Sequence, residues 1–108
     1  MLIEIPVLPL LKRLYCSNNQ LEKIPVLPLL NYLYCENNKL KRIPILPQLT
    51  ILHCLNNLLE EIRDLRSLQI LYCSDNNSLE LIQNLPSLEL FVSNKNDIRF
   101  KNVKNYVS

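Results

Sequence analysis

The four cysteines of the chain stand 19 residues apart, at Cys16, Cys35, Cys54 and Cys73. The same pattern of leucine, asparagine and isoleucine surrounds each of them, so the spacing marks an internal repeat. A unit of this length has room for one strand and one return. Successive strands must then lie parallel and about 4.8 Å apart. The period therefore predicts stacked units that share one continuous apolar core.

Seven columns define the repeat. The first unit holds Leu11, Leu14, Cys16, Asn19, Leu21, Ile24 and Leu27. The next three units keep all seven columns, and the fourth has one residue inserted after Asn76. A fifth, fading unit keeps Leu88, Phe91, Asn96 and Ile98 but has Ser93 in the cysteine column, while Leu2, Ile5 and Leu8 match the back half of a unit. We therefore divide the chain into a partial N-terminal repeat at 1–10, about five repeats at 11–98 and a C-terminal tail at 99–108.

The frame L-x-x-L-x-C-x-x-N-x-L resembles the leucine-rich repeat family over nearly the whole chain. Residues 24–28 and 43–47 are similar to the short, proline-rich variants of bacterial effectors and of repeat proteins from large DNA viruses. The period is slightly shorter than the usual 20–29 residues, and cysteine replaces the third aliphatic residue. The resemblance implies an α/β-type solenoid, a right-handed superhelix with a parallel β-sheet on its concave face. Its convex side would be mostly extended or 3-10 and non-helical.

Local patterns favour the same architecture independently. Leu14, Tyr15, Cys16 and Ser17 alternate between apolar and exposed types, which is the period of a strand with one buried face. Pro25 cannot continue a helix, and its fixed φ suits an extended return. The asparagine column would sit where the chain turns off each strand and pair with backbone groups left open by the bend. Asn76 begins a formal glycosylation sequon, but its place in this column predicts that it is inaccessible.

The composition argues against catalysis. The chain has no glycine, which excludes phosphate-binding loops and the nucleophile elbow of hydrolases, and one histidine leaves no two-histidine zinc site. A straight file of four thiols does not form a tetrahedral metal cage, and buried cysteine packs as a small apolar residue. The alternative roles for the cysteine column are reversible oxidation and metal binding. His53 and Cys54 are strand neighbours on opposite faces, so they cannot act as a dyad. We expect no enzymatic activity, no cofactor and no bound metal.

The open wall of the solenoid is the candidate binding surface. A parallel sheet usually has both faces covered, yet here tyrosine and aliphatic residues would face the hollow. Such residues anchor protein partners. The candidate partner-binding residues are Arg13, Tyr15, Tyr32, Tyr34, Glu36, Ile51, His53, Leu55, Ile70, Tyr72 and Asp75. The alternative is that the tyrosines are copies kept by duplication because tyrosine suits strands.

Charge and hydropathy narrow the class of partner. The net charge of +2 gives no electrostatic case for nucleic acid, and the longest apolar run is too short to span a bilayer. We expect a protein partner, no nucleic acid and no membrane. The sequence shows no signal peptide, which predicts an intracellular, cytoplasmic protein with reduced cysteines. A second hypothesis is a structural segment of a larger array, or a chain that self-associates through uncapped ends or its concave face.

Overall fold

The computed structural model describes residues 2–94 and the strand Tyr106–Val107. Over these residues the chain forms a solenoid of parallel strands with about four turns and without a helix. The strands are β1 (Arg13–Tyr15), β2 (Tyr32–Tyr34), β3 (Ile51–His53), β4 (Glu61–Arg63), β5 (Ile70–Tyr72), β6 (Leu81–Gln83), β7 (Leu90–Val92) and β8 (Tyr106–Val107). This architecture confirms the solenoid expected from the repeat.

The larger sheet contains six strands in the order β1, β2, β3, β5, β7 and β8, all paired in parallel. Leu14 pairs with Leu33, Leu33 with Leu52 and Leu52 with Leu71, which is the predicted 19-residue register. Leu71 then pairs with Phe91, so the residue inserted after Asn76 is absorbed outside the strands. Identical columns therefore lie side by side across the sheet.

A second, two-stranded sheet joins β4 to β6 on the return side of the units. In the first two units, Pro25 and Pro44 occupy the position of Arg63 and Gln83 in this sheet. Proline has no N–H to donate to a ladder, and only an isolated bridge links Arg42 to Glu61 before the sheet begins. The return thus pairs as a sheet where the units lose proline.

The core is a single apolar cluster that runs along the solenoid. Leu33, Leu52 and Leu71 are fully buried, whereas Leu14 at the edge strand is half-buried. Phe91 is also fully buried in the leucine column of β7. Because each unit covers its neighbours, the central strand leucines are completely buried in the middle turns, and burial is weaker at the first strand.

The turns after the strands use asparagine and aspartate in place of glycine. Four of these residues share one column and two follow the strands of the smaller sheet: Asn18, Asn37, Asn56, Asp75, Asp64 and Asn84, with φ values from 51° to 62°. Asparagine and aspartate tolerate this left-handed conformation better than other residues with a Cβ. The Nδ2 group of Asn37 donates to Oδ1 of Asn18 at 2.7 Å, and that of Asn56 donates to Oδ1 of Asn37 at 2.8 Å. In this glycine-free chain, the residues that form the left-handed turns therefore also hydrogen-bond to each other between neighbouring units.

Some predictions concern residues outside the described part of the chain. These are the positions of Asn96 and Ile98 in the fifth unit, and most of the predicted tail at 99–108. The strand β8 falls within that tail segment and pairs with β7. Within the described residues, none lies in a helix of the length and hydrophobicity needed to cross a bilayer.

Candidate functional site

The open face of the larger sheet carries two columns of side chains, one residue either side of the buried leucine of each strand. The first column aligns Tyr15, Tyr34, His53 and Tyr72, followed by Val92. The second column aligns Arg13, Tyr32, Ile51 and Ile70, followed by Leu90. Beyond the first strand these side chains are half-buried. We call the residues of these two columns the sheet face.

Four rings of the sheet face form one continuous stack. The Tyr15 and Tyr34 ring centroids lie 4.8 Å apart with an interplanar angle of 9°. His53 lies 4.4 Å from Tyr34 on one side and 4.4 Å from Tyr72 on the other. These separations equal or fall just below the strand spacing, so the parallel register itself holds the rings in contact. Tyr15 ends the stack and is 65% exposed.

The remaining predicted site residues lie around this stack. The Arg13 guanidinium lies 5.0 Å from the centroid of the Tyr32 ring, a cation–π contact in the second column. Glu36 is beside His53, with its Oε1 3.6 Å from Nδ1 of the imidazole. Leu55 is half-buried one column further along. Asp75 is instead part of the turn column, where it accepts a hydrogen bond from Nδ2 of Asn94 at 2.8 Å. The structure therefore brings all of these residues except Asp75 close to the two columns.

Buried asparagines join the turns of the solenoid behind this face. In the second unit, Nδ2 of Asn38 donates to the carbonyls of Cys16 and Cys35 at 3.0 Å each. Its Oδ1 accepts the backbone N–H of Leu21 at 3.0 Å. Each such amide thus bonds to its own unit and to the preceding one. The same pattern repeats at Asn57 and at Asn76, which is 1% exposed, as its predicted inaccessibility requires.

The comparison with known protein families agrees with this repeating frame. A family model described as leucine-rich repeats in two copies matches residues 9–48. Residues 9–48 therefore contain leucine-rich repeats. The structure carries the same frame on through β7, beyond the matched residues. No match was found among curated proteins or among solved structures. Similarity to the bacterial and viral variants stays a prediction.

The four cysteine side chains of the repeats are buried. Burial raises the pKa of the Cys16 thiol to about 11, with a smaller contribution from Glu36. Burial raises the pKa of Cys35 and Cys54 well above the ordinary value, and the neighbouring cysteines add to the shift. Sγ of Cys54 lies 3.4 Å from the carbonyl oxygen of Tyr72 on the next strand, to which it donates. Neutral, hydrogen-bonded thiols pack the interior and are poor nucleophiles.

The first prediction concerns thiol reactivity. At pH 8, Cys35 and Cys54 are expected to react with a chromogenic disulfide reagent at least about 100-fold more slowly in the folded protein than in denaturant, because thiolate is the reacting form. The count of reacted thiols over time, with and without guanidinium, measures this difference. As a control for the reagent, a serine-to-cysteine substitution at exposed Ser78 should add one fast thiol. Rapid modification of the native cysteines would contradict their placement in the core.

His53 contributes the imidazole of the ring stack. Partial burial between the two tyrosine rings lowers the pKa of His53, while the Glu36 carboxylate acts in the opposite direction. The imidazole is therefore neutral at pH 7. The adjacent Cys54 sulfur lies on the buried side of β3, and His53 is half-buried on the sheet face. A thiol–imidazole dyad between these two residues does not form.

The second prediction follows from the lowered pKa of His53. The NMR titration midpoint of His53 should lie below the ordinary value of about 6.5. Replacing Glu36 with glutamine should lower the midpoint further, since a favourable charge is removed. A histidine with a lowered folded pKa binds fewer protons in the folded state, so its contribution to stability is complete above the ordinary value. That contribution is lost as the pH falls through the lowered pKa. A midpoint that rises in Glu36→Gln would contradict this geometry.

Sequence reasoning did not identify the left-handed asparagine column or the direct stacking of His53 between tyrosines. The signals were present, because an Asn-Asn or Asp-Asn pair follows each of β1, β2, β3 and β5 in a chain without glycine. Among the described residues, no group of three or more histidine, cysteine, aspartate or glutamate side chains is placed to hold a metal ion.

Proposed function

We propose that this leucine-rich repeat protein is a non-enzymatic interaction module that binds a protein partner on its sheet face. The ring stack of Tyr15, Tyr34, His53 and Tyr72 is the single observation that carries the proposal. Its members are held rigidly by the register and by each other. A partner that packs against them would therefore immobilise few new side-chain torsions, which favours affinity.

The second column of the sheet face extends the apolar surface beside the rings. Ile51 and Ile70 are only half-buried, although a parallel sheet usually has both of its faces covered. Tyrosine combines a large apolar body with a polar tip, and it is enriched among residues that dominate protein interfaces. Duplication explains why tyrosine recurs. It does not explain why the neighbouring column keeps isoleucine at partly exposed positions.

Charges on the sheet face favour a protein over a nucleic acid. Arg13 lies over the Tyr32 ring, and Glu36 accompanies His53, whose pKa is lowered. The face therefore lacks the run of cations that follows a phosphate backbone. A mixed apolar and polar partner surface is the better complement.

The test is affinity capture with three versions of the chain. Tyr34→Ala combined with Tyr72→Ala removes two of the four rings and should lower partner retention about tenfold or more. The matched control combines Val26→Ala with Ile45→Ala, two exposed residues of the returns, and should retain the partner. Circular dichroism should be the same for all three. Full retention by the double tyrosine variant, or equal loss by the control, would refute the sheet face as the site.

Two further features support a non-enzymatic, intracellular role. Burial raises the pKa of the Cys16, Cys35 and Cys54 thiols, which are therefore neutral, and the imidazole of His53 lies on the opposite face of the sheet. Buried cysteines in the thiol form suit a reducing compartment. We therefore infer an intracellular protein without catalytic chemistry of its own.

Self-association is the second candidate, favoured by the edge of the larger sheet. Among the described strands, β1 is paired on one side, by β2, and Tyr15 is largely exposed there. Unpaired strand edges are templates for pairing with another chain. Sedimentation velocity over a hundredfold range of concentration should then show a dimer that Tyr15→Lys weakens. A monomer at every concentration would remove this candidate.

A further inference from the structure

A groove of about 470 Å³ lies along one flank of the first three units, outside the sheet face. Its cations are Lys23, Lys39, Lys41 and Arg42, and its apolar part includes Ile24 and Leu58. The volume falls within the range of ordinary ligand pockets. Nothing in the ring stack contributes to it, so it is a second, separate surface.

The solenoid register builds this groove. The backbone N–H of Lys39 donates to the Leu21 carbonyl at 2.8 Å, and that of Leu58 donates to the Leu40 carbonyl at 2.9 Å. Lys39 and Leu58 therefore occupy the same column in neighbouring units. Lys23 and Arg42 share another column. Neighbouring turns thus hold the cations and the apolar patch side by side on a fixed backbone.

The charges of the groove are incompletely matched by the protein itself. Arg42 has carboxylates at 3.9 Å and 3.8 Å, from Glu60 and Glu61, and its side chain is 70% exposed. Over residues 2–94, no ion pair within 4.0 Å involves Lys23, Lys39 or Lys41. Glu22 is the one acidic residue in the lining. The groove therefore has an excess of positive charge that an acidic ligand would complement.

The apolar part of the groove indicates which kind of acidic ligand would fit it. Leu58 is 49% exposed, whereas the core leucines are fully buried, and Ile24 also belongs to the lining. A simple anion would leave these apolar side chains exposed to water. A segment with carboxylates on either side of one aliphatic side chain would cover the leucine and pair with the lysines.

We propose that this groove binds an acidic peptide segment with an aliphatic side chain at its centre. A peptide fits better than a nucleic acid because the lining holds no aromatic ring on which a base could stack. The inference does not depend on the proposed sheet-face function.

Isothermal titration with synthetic peptides tests the proposal. The probe is an acetylated and amidated Glu-Glu-Leu-Glu-Glu peptide, compared with Gln-Gln-Leu-Gln-Gln and with Glu-Glu-Ser-Glu-Glu. Both changes should weaken binding, the loss of carboxylates by about tenfold or more and the loss of leucine by about threefold or more. No heat of binding at about 1 mM of the leucine peptide, or equal binding of all three peptides, would overturn it.

Charge-matched variants locate the peptide. Lys23→Gln combined with Lys39→Gln should weaken binding of the acidic leucine peptide about tenfold. Lys12→Gln combined with Arg66→Gln changes the net charge equally at exposed residues outside the groove lining and should have little effect. Equal weakening by both pairs would overturn the groove as the site, since net charge alone would then explain binding. Tighter binding of an oligonucleotide of equal charge, displacing the peptide, would overturn the ligand class.

The sheet-face variant separates the two proposals. Tyr34→Ala combined with Tyr72→Ala should bind the acidic peptide as the unmodified protein does. Loss of the peptide in this variant would assign the peptide to the sheet face and overturn the groove. Loss of the captured protein partner with the peptide retained is the result expected if both proposals are right.

Discussion

Replacing Asn57 with alanine is expected to destabilise the protein by about 3 kcal/mol, because buried polar groups are costly when they lose their partners. The Asn57 amide donates to the carbonyls of Cys35, Cys54 and Leu55 at 3.0, 3.1 and 3.2 Å. Its Oδ1 accepts the backbone N–H of Leu40 at 3.1 Å. Alanine leaves that N–H buried without an acceptor and breaks three further hydrogen bonds, of which the one to Cys35 joins neighbouring units.

Urea denaturation followed by circular dichroism measures this loss. The matched control is Asn56→Gly, one residue away, where the exposed side chain is lost but the left-handed backbone at φ 51° is kept. We expect the control to change the free energy of unfolding by less than about 1 kcal/mol. Similar effects for the two variants would show that the buried amide does not join the units.

Replacing Leu52 with alanine is expected to cost about 2–5 kcal/mol, the range for deleting a buried leucine side chain. Leu52 is fully buried, and it pairs in register with Leu33 on one side and Leu71 on the other. The backbone ladder fixes the strand spacing, so the neighbouring leucines cannot close the gap without breaking register. The cost should therefore lie in the upper half of that range.

The comparison for Leu52→Ala is Ile45→Ala, an aliphatic residue that is 62% exposed on a return. We expect a change below about 0.5 kcal/mol for this surface position. Differential scanning calorimetry of both variants gives the two values under the same conditions. A destabilisation by Leu52→Ala as small as that of Ile45→Ala would be incompatible with its central position in the core.

The register of the larger sheet could be predicted because one column of residues fixes all the others. Once the cysteines were aligned, the columns of Tyr15 and Arg13 followed from the two-residue period of a strand. The column of buried asparagines, which includes Asn38 and Asn57, was predictable for the same reason, since a buried polar residue in every unit needs a repeated backbone partner. In each case one local rule, applied at a fixed spacing, was enough.

The smaller sheet and the ring stack could not be predicted so directly. The smaller sheet forms where no proline follows Ile62 and Ile82. The absence of proline permits the strands to pair, but it does not by itself predict that they do. The place of His53 in the stack depends on side-chain torsions that no periodicity encodes. Sequence placed His53 on the open wall, but its ring contacts and its approach to Glu36 required coordinates. The binding roles of the site residues remain predictions.

The buried amides have a consequence for how such a chain evolves. Asn38 and Asn57 make the same bonds to their own unit and to the one before it. These two junctions are therefore interchangeable, and unequal crossing-over that deletes or duplicates a 19-codon block between them would leave no mismatched joint. Selection can then lengthen or shorten the molecule by one repeat unit at a time, and each step changes the extent of its binding surfaces.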